Sequence, residues 1–217
     1  MNLEIVSTKD GSNTVYSSQF DEHYHSIHGA KQESEHVFIR NGFNQFKHLK
    51  NLAILEIGFG TGFNCLLTLL ANTTKHIYYH GIEAYPIDTA THKIFKNHLH
   101  PNEQLLYESV SSTPWNTPSV ISENITLLKE HTTFQTMNLK KTYDLIYFDA
   151  FSPRKQPECW TIEILTACYH ALKPQGKLVT YCAKGSIKRS LKKSGFLVET
   201  LQGPPGKREM VRAIKTH

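Results

Sequence analysis

The run Ile54-Leu55-Glu56-Ile57-Gly58-Phe59-Gly60-Thr61-Gly62-Phe63-Asn64 leaves a chain few ways to fold: an apolar strand breaks into a glycine-rich turn and restarts as an apolar helix. A strand that ends this way opens a cleft at its carboxyl end, where nucleotide-like cofactors sit in α/β sheets. The spacing of the glycines narrows the cofactor. A dinucleotide fingerprint, G-x-G-x-x-G, requires its third glycine at position 63, for close packing of helix on strand, and position 63 is Phe. The glycines fall instead at 58, 60 and 62, behind the acidic Glu56. This pattern suits S-adenosylmethionine, which has no phosphate for a helix N-terminus to cradle but carries an amino-acid tail whose ammonium needs carboxylate and carbonyl acceptors.

From about residue 52 strand-like and helix-like runs alternate. Strands are expected at 52–57, 76–83, 125–129, 143–149 and 177–182, with helices at 62–72, 86–98, 103–113 and 158–172 between them. Such alternation predicts an α/β fold on a largely parallel sheet. The last third closes differently: after a helix at 184–194, strands at 196–201 and 208–215 are joined through Gly203-Pro204-Pro205-Gly206 with no helix between them. That predicts a C-terminal antiparallel hairpin. A doubly wound, Rossmann-like sheet closed by such a hairpin is the architecture of class I S-adenosylmethionine-dependent methyltransferases. Residues 51–217 are assigned to that domain. Residues 1–50, polar, aromatic-rich and less regular, form an N-terminal extension that either lids the cofactor cleft or covers a sheet edge.

Charge and cysteine usage bound the partners. The 24 Lys and Arg against 19 Asp and Glu leave a net +5 with His neutral, which admits a polyanion without requiring one. Cys65, Cys159, Cys168 and Cys182 form no C-x-x-C, as expected of reduced thiols in a cytoplasmic protein. There is no signal-peptide pattern and no apolar run approaching the roughly 18 residues of a membrane helix, so no membrane contact is expected. No metal site is expected either, since His76 and His80 fall within a strand and H-E-x-x-H does not occur.

Four consecutive strands end on carboxylates, and ligands in open α/β sheets bind beyond those ends. Glu56, with the turn at Gly58, Gly60 and Gly62, is placed for a methionine tail; Glu83 for ribose hydroxyls; Glu130 for an adenine amino group; and Asp149 for the reacting centre. One such carboxylate is more often a helix cap, whereas four together mark a site. The exit Asp149-Ala150-Phe151-Ser152-Pro153 resembles the D-P-P-Y motif of amino-methylating enzymes. Methyl transfer from a sulfonium to an amine is a direct displacement that needs a neutral lone pair in line with the S–CH3 bond, so positioning supplies much of the catalysis. Asp149 and a loop carbonyl would hold the amine, and Phe151 offers a face to a base. Basic residues cluster late. Lys184, Lys188 and Lys192 share one helix face that suits phosphates, and the turn before Met210 is placed to aim Arg208 at the cleft.

Four ordered motifs together carry a resemblance over about residues 15–215: Gln19-Phe20-Asp21 with Tyr24, the turn Glu56 to Asn64, the segment Asp149 to Thr161, and Gly206-Lys207-Arg208-Glu209-Met210. They resemble the methyltransferase domain of bacterial tRNA wobble-uridine enzymes of the MnmC type. The resemblance implies S-adenosylmethionine-dependent methylation of 5-aminomethyl-(2-thio)uridine to the 5-methylaminomethyl product in the tRNA anticodon region, without flavin, metal, oxidase activity or an obligate protein partner. It adds Gln19 to the cofactor-binding residues and assigns Phe151, Pro153, Lys184 and Arg208 to the substrate. The chain departs from the family pattern at Ala150, where the family carries Gly, and at Lys129-Glu130, where it more often carries Gly-Asp. Three rivals share parts of the pattern: a small-molecule amine N-methyltransferase, a spermidine-synthase-like aminopropyltransferase, and a non-catalytic RNA-binding module. Arg154 and Lys155 at the strand exit make a poor polyamine site.

Overall fold

The computed structural model describes residues 3–139 and 142–217. Strands β1 (Leu3–Ser7), β2 (Asn13–Ser17) and β3 (Glu22–His23) form a small antiparallel sheet in that order. Helix α1 (Ala30–Ser34) runs on into a π-helical stretch, Glu35–Arg40, and a 3-10 turn at Phe43–Phe46 leads into the main sheet. There the chain alternates through β4 (Asn51–Ile57), α2 (Phe63–Ala71), β5 (His76–Glu83), α3 (Thr89–Asn97), α4 (Pro101–Ser111), β6 (Ser119–Ser122), β7 (Ile125–His131) and β8 (Tyr143–Phe148). It continues through α5 (Ile162–Ala171), β9 (Leu172–Thr180), α6 (Gly185–Lys193), β10 (Leu197–Gln202) and β11 (Glu209–Ile214).

The main sheet has the order β10-β11-β9-β8-β4-β5-β7-β6. Strands β9, β8, β4, β5 and β7 run parallel, β11 is inserted antiparallel between β10 and β9, and β6 caps the far edge antiparallel to β7. The chain leaves β4 toward β5 on one side and returns to β8 on the other, so the topological switch point lies between β4 and β8. The expected doubly wound sheet and terminal hairpin are present. Strand β6 is an addition to the expected strands, its short, half-exposed pattern giving little periodicity. The helix expected over 158–172 is broken at Thr161: a 3-10 turn covers Pro157–Trp160, and the Thr161 hydroxyl then caps α5 by accepting from the Ile164 amide at 3.4 Å.

Both faces of the central strands are covered, which is why β8 is buried along its whole length. On one face Leu55, Ile57, Ile146 and Phe148 meet Ile164 and Leu165 of α5 and Ile187 and Leu191 of α6. On the other, Ile54, Tyr79, Leu145 and Tyr147 meet Cys65 and Leu69 of α2 together with Phe38 and Phe43 of the N-terminal segment. The small sheet is tied in by Val15, which packs with Phe63, Leu66, Phe95 and Tyr107. Residues 3–50 are therefore part of the packed body. The four cysteines are buried and free, and no helix among the described residues is long and apolar enough to cross a membrane.

Entry into the sheet depends on one buried ammonium. Lys75 Nζ donates to the carbonyls of Phe46 and Lys47 at 2.9 and 3.1 Å and also to that of Leu49, fixing the turn that delivers β4. Hydrogen bonds from a charged donor are each worth about 1.5–3 kcal/mol net. Lys75→Met should lower stability by about 3 kcal/mol, read as a lowered urea midpoint at unchanged slope.

Candidate active site

The switch point brings the glycine turn against the exit of β8. The Asp149 amide donates to the Ile57 carbonyl at 2.9 Å, and Gly58, at φ +85°, lies so close that a Cβ there would stand 2.7 Å from the Asp149 carbonyl oxygen. Glycine is required both for the conformation and for the approach. The turn is then clamped from the neighbouring strand: Glu83 accepts from the Gly60 amide at 2.8 Å and from the Tyr85 amide at 2.9 Å.

Beneath the turn, Glu56 is fully buried. Its carboxylate accepts from Tyr79 Oη at 2.8 Å and from Asn64 Nδ2 at 2.9 Å, and the same Asn64 amide donates to Asp149 at 2.7 Å. Asn64, on the first turn of α2, thus ties two carboxylates from adjacent strands, while its own Oδ1 is buried with no hydrogen-bond partner. Burial raises all three carboxyls. Glu56 is pushed up to about 8, Glu83 is raised despite its amide donors, and Asp149 is lifted well above the carboxylate range, with repulsion from Glu56 and Glu33 adding to burial. A cluster of buried acids with an orphan acceptor suits a ligand that brings cationic groups and N–H donors. The ammonium and sulfonium of S-adenosylmethionine fit that chemistry.

Two cavities lie at the exit of β8, divided by an aromatic wall. The inner one, about 20 Å3, is bounded by Gly58, Gly60, Glu83, Phe134, Asp149 and Gln156. Tyr24 roofs it so closely that a Cβ on Gly60 would meet the Tyr24 ring at 2.7 Å. The outer one, about 210 Å3, is bounded by Glu22, His25, Glu33, Ala150, Tyr181 and Lys207. Tyr24 and Phe151 border both. Their rings meet edge to face at 4.9 Å, and Phe20 stacks on Phe151 at 4.6 Å. The loop after β8 is pinned to the small sheet: Glu22 accepts from the Ser152 amide and hydroxyl at 3.1 and 2.9 Å, and Lys155 pairs with Asp21 at 2.8 Å. A larger groove of about 470 Å3, between α3 and α4, shares no residue with these strand ends.

The structure brings Glu56, Gly58, Gly60, Gly62, Glu83, Asp149 and Phe151 together and leaves other expected site residues elsewhere. Glu130 is in register with Ile82 and turns to the opposite face, where it meets His80 Nε2 at 2.9 Å; His131, level with Glu83, ends the strand. Lys129 faces the α4 side, its ammonium donating to the Ser111 carbonyl at 2.8 Å beneath the Trp115 ring. Gln19 is exposed beside Phe20, and Pro153 lies in the half-exposed loop after β8. Lys184 precedes α6. The hairpin turn sends Lys207 into the outer cavity, and Arg208 is exposed. Ala150 is not among the described non-glycine residues with positive φ, so it fills the family's glycine position without strain. The bridging role of Asn64 and the presence of Glu33 were not legible beforehand. Asn64 sat in a motif without an assigned partner, and Glu33 lies more than 100 residues from the strand exit it faces. Among the described residues no cluster of His, Cys, Asp and Glu suits a metal ion.

Residues 99–216 match the family described as S-adenosyl-L-methionine-dependent methyltransferase. The tRNA 5-methylaminomethyl-2-thiouridine biosynthesis bifunctional protein MnmC of Burkholderia mallei is 29% identical over 227 residues, covering 95% of this chain and 34% of that protein. The chain thus spans about a third of the length of the curated relatives it matches. The crystal structure of MNMC2 from Aquifex aeolicus aligns with a TM-score of 0.82 at 26% identity, over 98% of this chain and 70% of that one. Spermidine synthase from Thermotoga maritima shares the fold at a TM-score of 0.60 and 15% identity, over 98% and 68% of the two chains.

The raised Glu56 carboxyl makes stability depend on pH. Its value in the folded chain is about 8 against an ordinary 4.5, so between those values the folded state holds a proton that the unfolded state releases. Stability therefore falls as pH rises through this window and is lowest above it. Glu56→Gln should match wild type in urea denaturation near pH 4.5 and exceed it at pH 8.5 by an amount on the order of a few kcal/mol.

Proposed function

Because the chain belongs to the S-adenosyl-L-methionine-dependent methyltransferase family that matches residues 99–216, we propose that it methylates the amine of 5-aminomethyl-(2-thio)uridine at the tRNA wobble position. The relatives named for that pathway over 95% of this chain support the substrate. The observation that carries the reaction is the Glu56–Asn64–Asp149 cluster at the switch point, with Asp149 on the wall of the inner cavity. When bound, the donor supplies a sulfonium-activated methyl group to the amine lone pair. In this reading Glu56, Asn64 and the glycine turn hold its amino-acid tail, and Glu83 takes the ribose hydroxyls on the lone pairs its amide donors leave.

Asp149 has the decisive task. An aminomethyl group carries a proton near neutral pH, and a protonated amine has no lone pair to give. Burial raises the proton affinity of Asp149; its ionised form, favoured once the cationic donor lies beside it, accepts that proton and then holds the neutral amine by its N–H groups. Tyr24 and Phe151 keep water from the line of transfer. The basic face of α6, with Arg189, Lys192 and Lys193, is assigned to the RNA backbone. The proposed step calls on neither flavin nor metal. A polyamine acceptor is disfavoured because Lys207 puts an ammonium in the outer cavity.

The test is nucleoside mass spectrometry of tRNA carrying the 5-aminomethyl group, incubated with protein and donor. The expected result is a gain of one methyl on that nucleoside, and no gain would remove the assignment. Asp149→Ala should lower kcat by about 100-fold or more while donor affinity, measured by calorimetry, changes only a few-fold. Asp149→Asn should regain rate as pH rises, because the amine then arrives neutral. A rate that stays flat with pH would assign Asp149 to positioning alone.

A further inference from the structure

We propose that the outer cavity is a base-recognition pocket in which Glu33 and Lys207 together read the imide edge of a uracil, an assignment that rests on the uridine reading above. The cavity shares Tyr24, Ala150 and Phe151 with the inner cavity, so a ring seated in it places a 5-substituent beside Asp149. Its volume of about 210 Å3 admits a single pyrimidine. Anticodon-loop bases are unstacked and readily splayed into such a pocket.

Uracil presents one N3–H between two carbonyl or thiocarbonyl acceptors. Glu33, contributed by α1 and almost fully buried, offers an acceptor for the N3–H, and Lys207, from the hairpin before β11, offers donors to a flanking acceptor. The two are already paired at 2.5 Å, so both charges are held in place before a base arrives. Cytosine sets an N3 lone pair against the Glu33 carboxylate where uracil presents N3–H, a mismatch at a buried acceptor that gives strong rejection. The other carboxylate lining the cavity, Glu22, is committed to Ser152.

The pair is also indexed to the chemistry. The Lys207 ammonium sits 3.9 Å from the Tyr181 ring centroid, and Tyr181 Oη donates to the Ala150 carbonyl at 2.9 Å, one residue beyond Asp149. Recognition at the imide edge is thereby held at a fixed distance from the reacting strand exit.

The experiment uses two anticodon stem-loop RNAs, one with 5-aminomethyluridine at the wobble position and one in which that base is also methylated on N3. Wild type should prefer the first by about 100-fold or more in kcat/KM. Glu33→Ala and Lys207→Met should each reduce that preference to within about tenfold, mainly through KM, while donor binding by calorimetry stays within a few-fold of wild type. Lys207 is partly exposed, so its variant reports even where Glu33→Ala fails to fold. If wild type methylates both RNAs equally, or Lys207→Met keeps the full preference, the pocket assignment is overturned while the substrate reading stands. If wild type methylates neither RNA, the substrate reading falls and this inference with it.

Discussion

Two carboxylates that repel each other on neighbouring strands, Glu56 fully buried and Asp149 on a cavity wall, are held together by one side-chain amide. Asn64 satisfies one oxygen of Glu56 and one of Asp149 at once. Burying an unpaired carboxylate costs several kcal/mol, so most of what surrounds this amide offsets that cost. Tyr79 takes the second Glu56 oxygen, the glycine turn brings α2 close enough for Asn64 to reach both acids, and raised proton affinities keep the charge low. Moving Asn64 by one residue along α2 would rotate it by about 100° and separate the two strands' chemistry.

The fold was largely legible because its signals are local. A strand, a glycine turn and a helix are written consecutively, the alternation repeats across the chain, and a terminal pair of strands lacks an intervening helix. The carboxylates at 56, 83 and 149 were legible for the same reason: each lies within one residue of the carboxyl end of β4, β5 or β8. Glu130 shows the limit. At a strand end a shift of one residue exchanges the two faces of the sheet, and the structure gives the terminal position to His131 and turns Glu130 toward His80.

The outer cavity was the least legible part. Its walls come from β3 and the segment after it, α1, the β8 exit, the end of β9 and the terminal hairpin, and nothing local in any of these announces the others. The choice between Lys207 and Arg208 turns on the direction taken by one residue in a tight turn, where neither helical nor strand periodicity applies. Composition also misleads about the basic residues: Lys188 is paired with Glu209, and Lys75 and Lys129 serve as buried donors to carbonyls.

The two cavities differ in when the growing chain completes them. Every residue of the acid cluster has been synthesised once Asp149 is added, and the central strands β4, β5, β7 and β8 precede it in the chain. The outer cavity needs Glu33 from near the beginning and Lys207 from near the end. A nascent chain therefore carries Glu33 without its ammonium partner until that hairpin docks. The ion pair between α1 and that hairpin works as a latch between segments made early and late in the folding of this domain.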